Sequence, residues 1–417
     1  MILGLDPMFL DGVDGGDVGW VLVKVVVAFV FLLVAVMLNI WFLRKVIADF
    51  QNRIGPSVAG PWGILQSLAD GIKLFMKEDL VPEKSDRFVF KLAPYLSLVP
   101  AFLVFAIVPL GGNFNESRTL ADGSTESGLF QWGDNPTFLQ VADPPVGILF
   151  FLAMSSLAIY GIMLAGWGSG SKYPLLGSVR ATAQMISYEA ALGLAIAAVV
   201  LISGSLSTHD IVAQQAGDGW LGFVPRWNLI TTAFVPFIIF LIAGTAELNH
   251  PPFDLVEAEQ ELVGGFHTEY SSIRFALFFL AEFMNQITMS AIAVTLFLGG
   301  PAGPVLFGPE WPWGIVWFFA KTMVFLWALV WVRATLPRFR YDQLMDLGWK
   351  LLIPVSLAWF ILLAGLQVGE DRGWDSQQEI LFIVGLFAAC AVLAGLLMAA
   401  VRTARLERLE REGADHG

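Results

Sequence analysis

Between Glu247 and Tyr270 the chain reads ELNHPPFDLVEAEQELVGGFHTEY, with six carboxylates (Glu247, Asp254, Glu257, Glu259, Glu261, Glu269) and no Lys or Arg. Carboxylates crowded together disfavour one another's charged form, so such a group shares protons and responds when a nearby charge appears or vanishes. Glu257 and Glu261 share a helical face while Glu259 points elsewhere, and Pro251-Pro252 breaks the helix that ends at Glu247. A charge run is ordinarily a solvated face. Here the interleaved FDLV and LVGGF point to packing against an apolar body instead. Two more carboxylates stand inside apolar runs, Glu189 after RATAQMISY and Glu282 in FFLAEFMNQ. A charge at the centre of a bilayer costs about 2.5–3.5 kcal/mol on insertion scales, so such groups face a bundle interior and mark ion or proton paths. Lys24 and Lys321 also lie in apolar runs, where snorkelling or structural pairing explains them as well as function does.

These groups need helices to hold them. The 417 residues are 56% hydrophobic and only 14% charged, with a mean hydropathy of +0.69, against about a quarter charged in soluble domains. The expectation is an all-α polytopic membrane protein. Nine runs approach the ~20 residues a span needs: 18–42, 89–110, 146–167, 183–203, 229–246, 273–299, 313–334, 347–367 and 380–401. That makes 18–401 one membrane domain between an N-terminal segment, 1–17, and a charged tail, 402–417. Of the 24 Lys and Arg, nineteen follow odd-numbered spans and three (Arg118, Arg226, Arg372) follow even ones. The positive-inside rule then puts the N-terminus outside, and the C-terminus and the acidic loop 247–272 in the cytoplasm. The outer loops GGNFNESRTLADGSTESG and GGPAGPVLFGPEWPWG read as plain connectors.

The first inner loop carries an amphipathic helix over about 57–78. Ile64, Leu65, Leu68, Ile72, Phe75 and Met76 form one stripe, and Gln66, Asp70, Lys73 and Lys77 another. It either lies in the membrane interface or covers an internal cavity. Several chemistries are excluded. The single Cys390 cannot hold an iron–sulfur cluster, which takes about four thiolates. The four histidines show no metal-ligand spacing, and the net charge of −12 argues against nucleic acid. The loop VRATLPRFRYDQLMDLGWK reads, by itself, as positive-inside anchoring.

Four stretches together resemble one family: RKVIADFQNRIGPSVAGPWGILQSLADGIKLFMKED, RATAQMISYE, AELNHPPFDLVEAEQELVGGFHTEYSSIRFALFFLAE and RATLPRFRYDQLMDLGWK. They are similar to the family of quinone-chamber membrane subunits of bacterial NADH–quinone oxidoreductase, respiratory complex I, over about residues 18–367. The resemblance implies a multi-pass subunit of a proton-translocating enzyme in the bacterial inner (plasma) membrane. It would have no catalytic redox centre and no metal of its own. Flavin (FMN) and iron–sulfur clusters would sit on hydrophilic-arm subunits, with small membrane subunits and antiporter-like subunits as further partners. The substrate would be ubiquinone or menaquinone, its tail entering between span 1, the amphipathic helix and span 6. By matching residues, Arg44, Arg53, Asp70, Lys73, Phe253, Arg333 and Arg338 would line the quinone chamber. Glu189, Glu247, Asp254, Glu257, Glu259 and Glu282 would start the proton path, supported by Arg180, His250 and Glu261. Two positions depart from many members: Leu43 stands where they carry Glu, and His250 where they carry Arg. Two other functions remain in view. One is the equivalent membrane subunit of a proton-pumping hydrogenase; the other is a stand-alone ion transporter, against which stands the lack of an inverted repeat.

Overall fold

The structure is a computed structural model that describes residues 6–9, 15–119, 125–132, 135–216, 226–255, 263–305, 307, 311–374, 378 and 381–385. In chain order its helices are α1 (Gly15–Phe50), α2 (Gln66–Met76), α3 (Arg87–Phe105), α4 (Gly147–Gly168), α5 (Lys172–Ser203), α6 (Thr208–Gln215), α7 (Asn228–Thr231), α8 (Val235–Glu247), α9 (Ser272–Phe297), α10 (Trp311–Thr335), α11 (Tyr341–Asp346) and α12 (Ile353–Asp371). A π-helical turn, Leu347–Leu352, joins α11 to α12. Among the described residues seven helices are long and apolar enough to cross a membrane: α1, α3, α4, α5, α9, α10 and the run from α11 through α12. The fifth expected span is the short α8, and the ninth, at 380–401, lies almost wholly outside the described residues, as does the tail.

Helix α9 is the most enclosed of the seven. The amide of Asn39 on α1 donates to Oε1 of Gln286 on α9 at 2.9 Å, a buried polar link between two apolar surfaces. Around it Leu32, Leu192, Phe240, Met284 and Phe297 pack with almost no exposure. Leu43 is buried in the same core, an apolar side chain in an apolar setting.

The fifth span is broken. Ala233 and Phe234 take positive φ (55° and 64°), and Pro236 follows at once, so the four-residue α7 and the 13-residue α8 are separate. At 1.5 Å per residue α8 covers only about 20 Å, against a hydrocarbon core of about 30 Å. Its last residue is Glu247, which therefore sits between helices rather than beyond them. Irregular backbone at this depth survives only when protein satisfies it. Buried Gln184 on α5 does so: its amide nitrogen donates to the carbonyls of Ala246 (2.8 Å) and Phe253 (2.9 Å).

Two expectations need correction. The amphipathic helix is shorter than 57–78, because a tight turn over Pro61–Gly63 precedes α2. Gly63 has φ of +76°, and a Cβ there would come within 2.3 Å of the Pro56 carbonyl oxygen. The first outer loop is not a plain connector. Strands β1 (Asn113–Thr119), β2 (Thr125–Trp132) and β3 (Asn135–Phe138) form an antiparallel sheet in that order. Phe114 and Phe138 close on His209 of α6, with ring centroids 5.1 and 4.0 Å away, and that buried aromatic contact gives the loop a reason to fold. Burial lowers the His209 pKa to about 4, despite nearby Asp210 and a hydrogen bond that the imidazole donates to the Ser127 backbone.

Both intramembrane lysines are structural. Lys321 on α10 donates to three carbonyls, those of Leu298 (2.7 Å), Gly300 (2.9 Å) and Ala302 (2.8 Å), just past the end of α9. A cation there also complements the helix dipole. Lys24 pairs with Asp6, and both bond the Thr137 hydroxyl.

Candidate functional site

At the opposite end of the bundle the carboxylates meet quite different partners. Glu247 ends α8 and Glu189 lies on α5, close enough for the two charges to act on each other. Among the described residues neither pairs with a lysine or arginine. Instead the hydroxyl of Ser155 donates to Oε1 of Glu247, and the adjacent hydroxyl of Ser156 to Oε1 of Glu189. Both serines come from α4. Oε2 of Glu247 is buried with no hydrogen-bond partner among the described residues.

Two cavities meet at Glu247, of about 30 and 50 Å³, room for a few waters each at roughly 10–15 Å³ per water. Both are lined by Glu247, Met185 and Asn285; the first adds Ser155 and Thr288, the second Ser97, His267 and Glu282. Besides Glu247 Oε2, the buried hydroxyls of Ser97 and Thr288 have no partner among the described residues. Polar atoms in that state favour hydration of the space they line. Glu247 and Glu282 thus line one cavity together. Burial alone lowers the His267 pKa to about 3, so this imidazole is neutral beside the carboxylates.

Beyond Glu282 the loop after α8 turns back through Asn249 (φ 53°) and a cis Pro251-Pro252 bond. Nδ1 of buried His250 lies 3.2 Å from Oε1 of Glu282. Burial first, and the Arg333 charge second, lower the His250 pKa to about 3 against a hydrogen bond with Gln286. The imidazole at this position therefore stays uncharged at neutral pH. Asp254, 5% exposed, pairs with Arg338, 47% exposed, at 2.9 Å. Phe253 is buried between Tyr188 (5.4 Å) and Phe339 (5.5 Å), and the Phe339 N–H donates to the Pro252 carbonyl at 3.1 Å. Arg180 stands over the Tyr341 ring at 5.6 Å. Tyr188 donates to the Leu344 carbonyl (2.8 Å) and Trp349 to the Ser187 hydroxyl (3.0 Å), so the π turn docks on α5 beside Glu189.

A second group gathers at α1 and α2. Arg44 pairs with Asp70 at 2.6 Å, and Gln66 donates to the same carboxylate at 3.0 Å. The ring nitrogen of Trp41 donates to the Trp62 carbonyl (3.0 Å) and Ser67 to that of Met37 (3.0 Å), fastening α2 to α1. Its far end is fastened to α9 by Ser272, which donates to the Lys77 carbonyl at 2.7 Å, and by an Arg274–Asp79 pair at 3.0 Å. Phe75 and Met76 remain 73% and 85% exposed, so α2 straddles α1 and α9 with its apolar stripe outward. Arg53 and Lys73 are exposed, Arg53 bonding Gln51. An apolar cavity of about 320 Å³ opens between α1, α9 and α10, lined by Phe31, Leu38, Phe42, Ile287, Phe319 and Met323 among others.

The structure therefore brings together Glu189 with Glu247, His250 with Glu282 and Arg333, Asp254 with Arg338, and Arg44 with Asp70. Arg53 and Lys73 stay at the periphery. Glu257, Glu259 and Glu261 lie outside the described residues. Sequence reasoning passed over Ser155, Ser156 and Gln184; the available signal was two adjacent hydroxyls in the apolar run AMSSLA.

Residues 23–364 match the NADH dehydrogenase family. The chain belongs to that family. Among its relatives are proteins named as a subunit of NADH-quinone oxidoreductase, the same subunit in each case. One from Frankia alni is 47% identical over 388 residues, 92% of this chain and 80% of the relative. One from Streptomyces avermitilis is 46% identical over 378 residues, covering 89% and 78%. A third, from Frankia casuarinae, is 50% identical over 380 residues, covering 89% and 79%. The resemblance drawn from the four motifs is thus confirmed over most of the chain.

Proposed function

We infer that this chain is a membrane subunit of a proton-translocating NADH–quinone oxidoreductase, contributing the membrane side of the quinone chamber and the first part of the proton path. The observation that carries the reading is Glu247. It is a carboxylate at the end of a shortened helix, held by a hydroxyl rather than a cation, with its second oxygen buried and unpartnered among the described residues and with a cavity beside it that Glu282 also lines. Such a group changes its proton content when a neighbouring charge changes. Quinone reduction in a chamber flanked by Arg338–Asp254, Phe253 and Arg333 supplies that change. Arg44, Asp70, Arg53 and Lys73 line the approach, and the apolar gap beside α1 suits an isoprenoid tail, whether of ubiquinone or menaquinone. In this reading FMN and the iron–sulfur clusters belong to partner subunits of a hydrophilic arm, further membrane subunits pack alongside, and the whole lies in a bacterial plasma membrane with the acidic loop in the cytoplasm.

The relatives' shared name supports the quinone enzyme over the hydrogenase-type complex. Purification of the tagged chain in mild detergent, with mass spectrometry of what accompanies it, tests the choice. Flavin- and iron–sulfur-bearing NADH dehydrogenase subunits are expected. A nickel–iron hydrogenase module, or the chain folded and alone, overturns the reading.

A further inference from the structure

Ser155 and Ser156 are consecutive on α4, in the run AMSSLA, yet each reaches a different helix. Ser155 bonds Glu247 at the end of α8, and Ser156 bonds Glu189 on α5. Neighbouring positions on a helix diverge by about 100°, so two adjacent hydroxyls can serve partners on either side of one helix face. Such serines in a helix usually bond only the carbonyl four residues back. Ser156 keeps that option, with its Oγ 3.1 Å from the Leu152 carbonyl.

We propose that Ser155 and Ser156 are positioning residues for proton transfer, a double-hydroxyl clamp that holds the Glu247 and Glu189 carboxylates in place in both their charged and neutral forms. A cation can bond the charged form alone; a hydroxyl donates to an ionised carboxylate and accepts from a protonated one. To an ionised Glu189, Ser156 donates its proton. When Glu189 is protonated, its O–H donates to Ser156 Oγ and the serine proton turns to the Leu152 carbonyl, so no bond is lost in either state. Ser155 fixes Oε1 of Glu247, which leaves Oε2, buried and without a partner among the described residues, to carry the proton beside the cavities that Glu247 lines. The proton transferred is the carboxyl proton; the serines exchange none. The titratable groups that face this pair are each other, Glu282 from α9, and His267 and His250 from the loop between α8 and α9.

The inference rests on the proton-path reading above, and one set of variants separates the two. The assembled complex is purified with Ser155→Ala, Ser156→Ala, the double Ala variant, Ser155→Thr, Ser156→Thr and Glu247→Gln. Each is assayed for NADH–quinone turnover across pH 5.5–9, with NADH oxidation by a soluble artificial acceptor as the control for assembly. The clamp predicts normal artificial-acceptor rates, a loss of about threefold to tenfold in quinone turnover for each Ala, a larger loss for the double variant, and a displaced pH optimum. Thr, which retains the hydroxyl, returns the rate and the optimum to near wild type. A wild-type rate and pH profile in both Ala variants overturns the clamp alone, provided that Glu247→Gln is inactive. Wild-type behaviour of Glu247→Gln overturns the proton path and the clamp with it. A loss of turnover that Thr does not repair, with an unmoved pH optimum, assigns the serines to packing and likewise overturns the clamp.

Discussion

Two pairs of buried charges, Lys24 and Lys321 towards one end of the bundle and Glu189 and Glu247 towards the other, are treated in opposite ways. At the end where α9 finishes, Lys321 meets three carbonyls, and Lys24 meets a carboxylate and a hydroxyl. Those ions have their acceptors placed around them. At the other end Glu247 has one serine and an open oxygen, Glu189 is held by a serine, and Glu282 faces a histidine held neutral. Around Lys24 and Lys321 the cost of burying charge is answered by saturation, and around Glu189 and Glu247 by hydroxyls and room for water. A saturated ion staples a fold; an under-compensated one can gain or lose a proton when its surroundings change.

That contrast can be broken by substitutions of graded severity. The largest effect belongs to Glu247→Gln, expected to reduce NADH–quinone turnover at least tenfold while the complex assembles and oxidises NADH with an artificial acceptor. Lys321→Met is expected to leave three buried carbonyls without their donor and to destabilise the chain by about 3 kcal/mol, taking 1.5–3 kcal/mol for hydrogen bonds to charged groups. A lowered midpoint of thermal unfolding in detergent would show it, with the turnover per folded complex preserved. Arg338→Gln removes the cation beside the buried Asp254 carboxylate and should cost severalfold in quinone turnover, with Arg338→Lys recovering part of it. Because half of the Arg338 side chain is exposed, its effect on stability is screened and stays small. The smallest effect is at His250. Folded, its pKa of about 3 lies below the ordinary 6.5, so the stability that its neutral form contributes is intact above 6.5 and drains away as pH falls towards 3. His250→Gln should therefore leave turnover between pH 7 and 8 nearly unchanged and make the chain more tolerant of acid, measurable as unfolding midpoint against pH.

Much of this was legible in the sequence, for reasons that also mark its limits. Apolar runs reveal spans because the bilayer imposes a length, and seven of the nine expected runs are, among the described residues, helices long enough to cross, with the fifth shortened to α8. The intramembrane glutamates stand out because charge there is rare. The lysines were equally visible, but their saturation was not, since the carbonyls of Leu298, Gly300 and Ala302 carry no side-chain signature. Ser155 and Ser156 look like small residues of a packed helix until their partners on α5 and α8 are known. The outer sheet was hidden because its stabilising contact, Phe114 and Phe138 on His209, spans about 95 residues of sequence. The break at Ala233–Phe234 was likewise unsignalled, being a backbone twist in residues that usually avoid it.

The most direct measurement places Glu247→Gln and Lys321→Met side by side in proteoliposomes, recording the NADH-driven proton gradient and the thermal unfolding midpoint of each assembled complex. The account predicts a crossed result: Glu247→Gln loses the gradient and keeps its midpoint, while Lys321→Met keeps the gradient per folded complex and loses several degrees. A full gradient with Glu247→Gln, or a lost gradient at an unchanged midpoint with Lys321→Met, would contradict it.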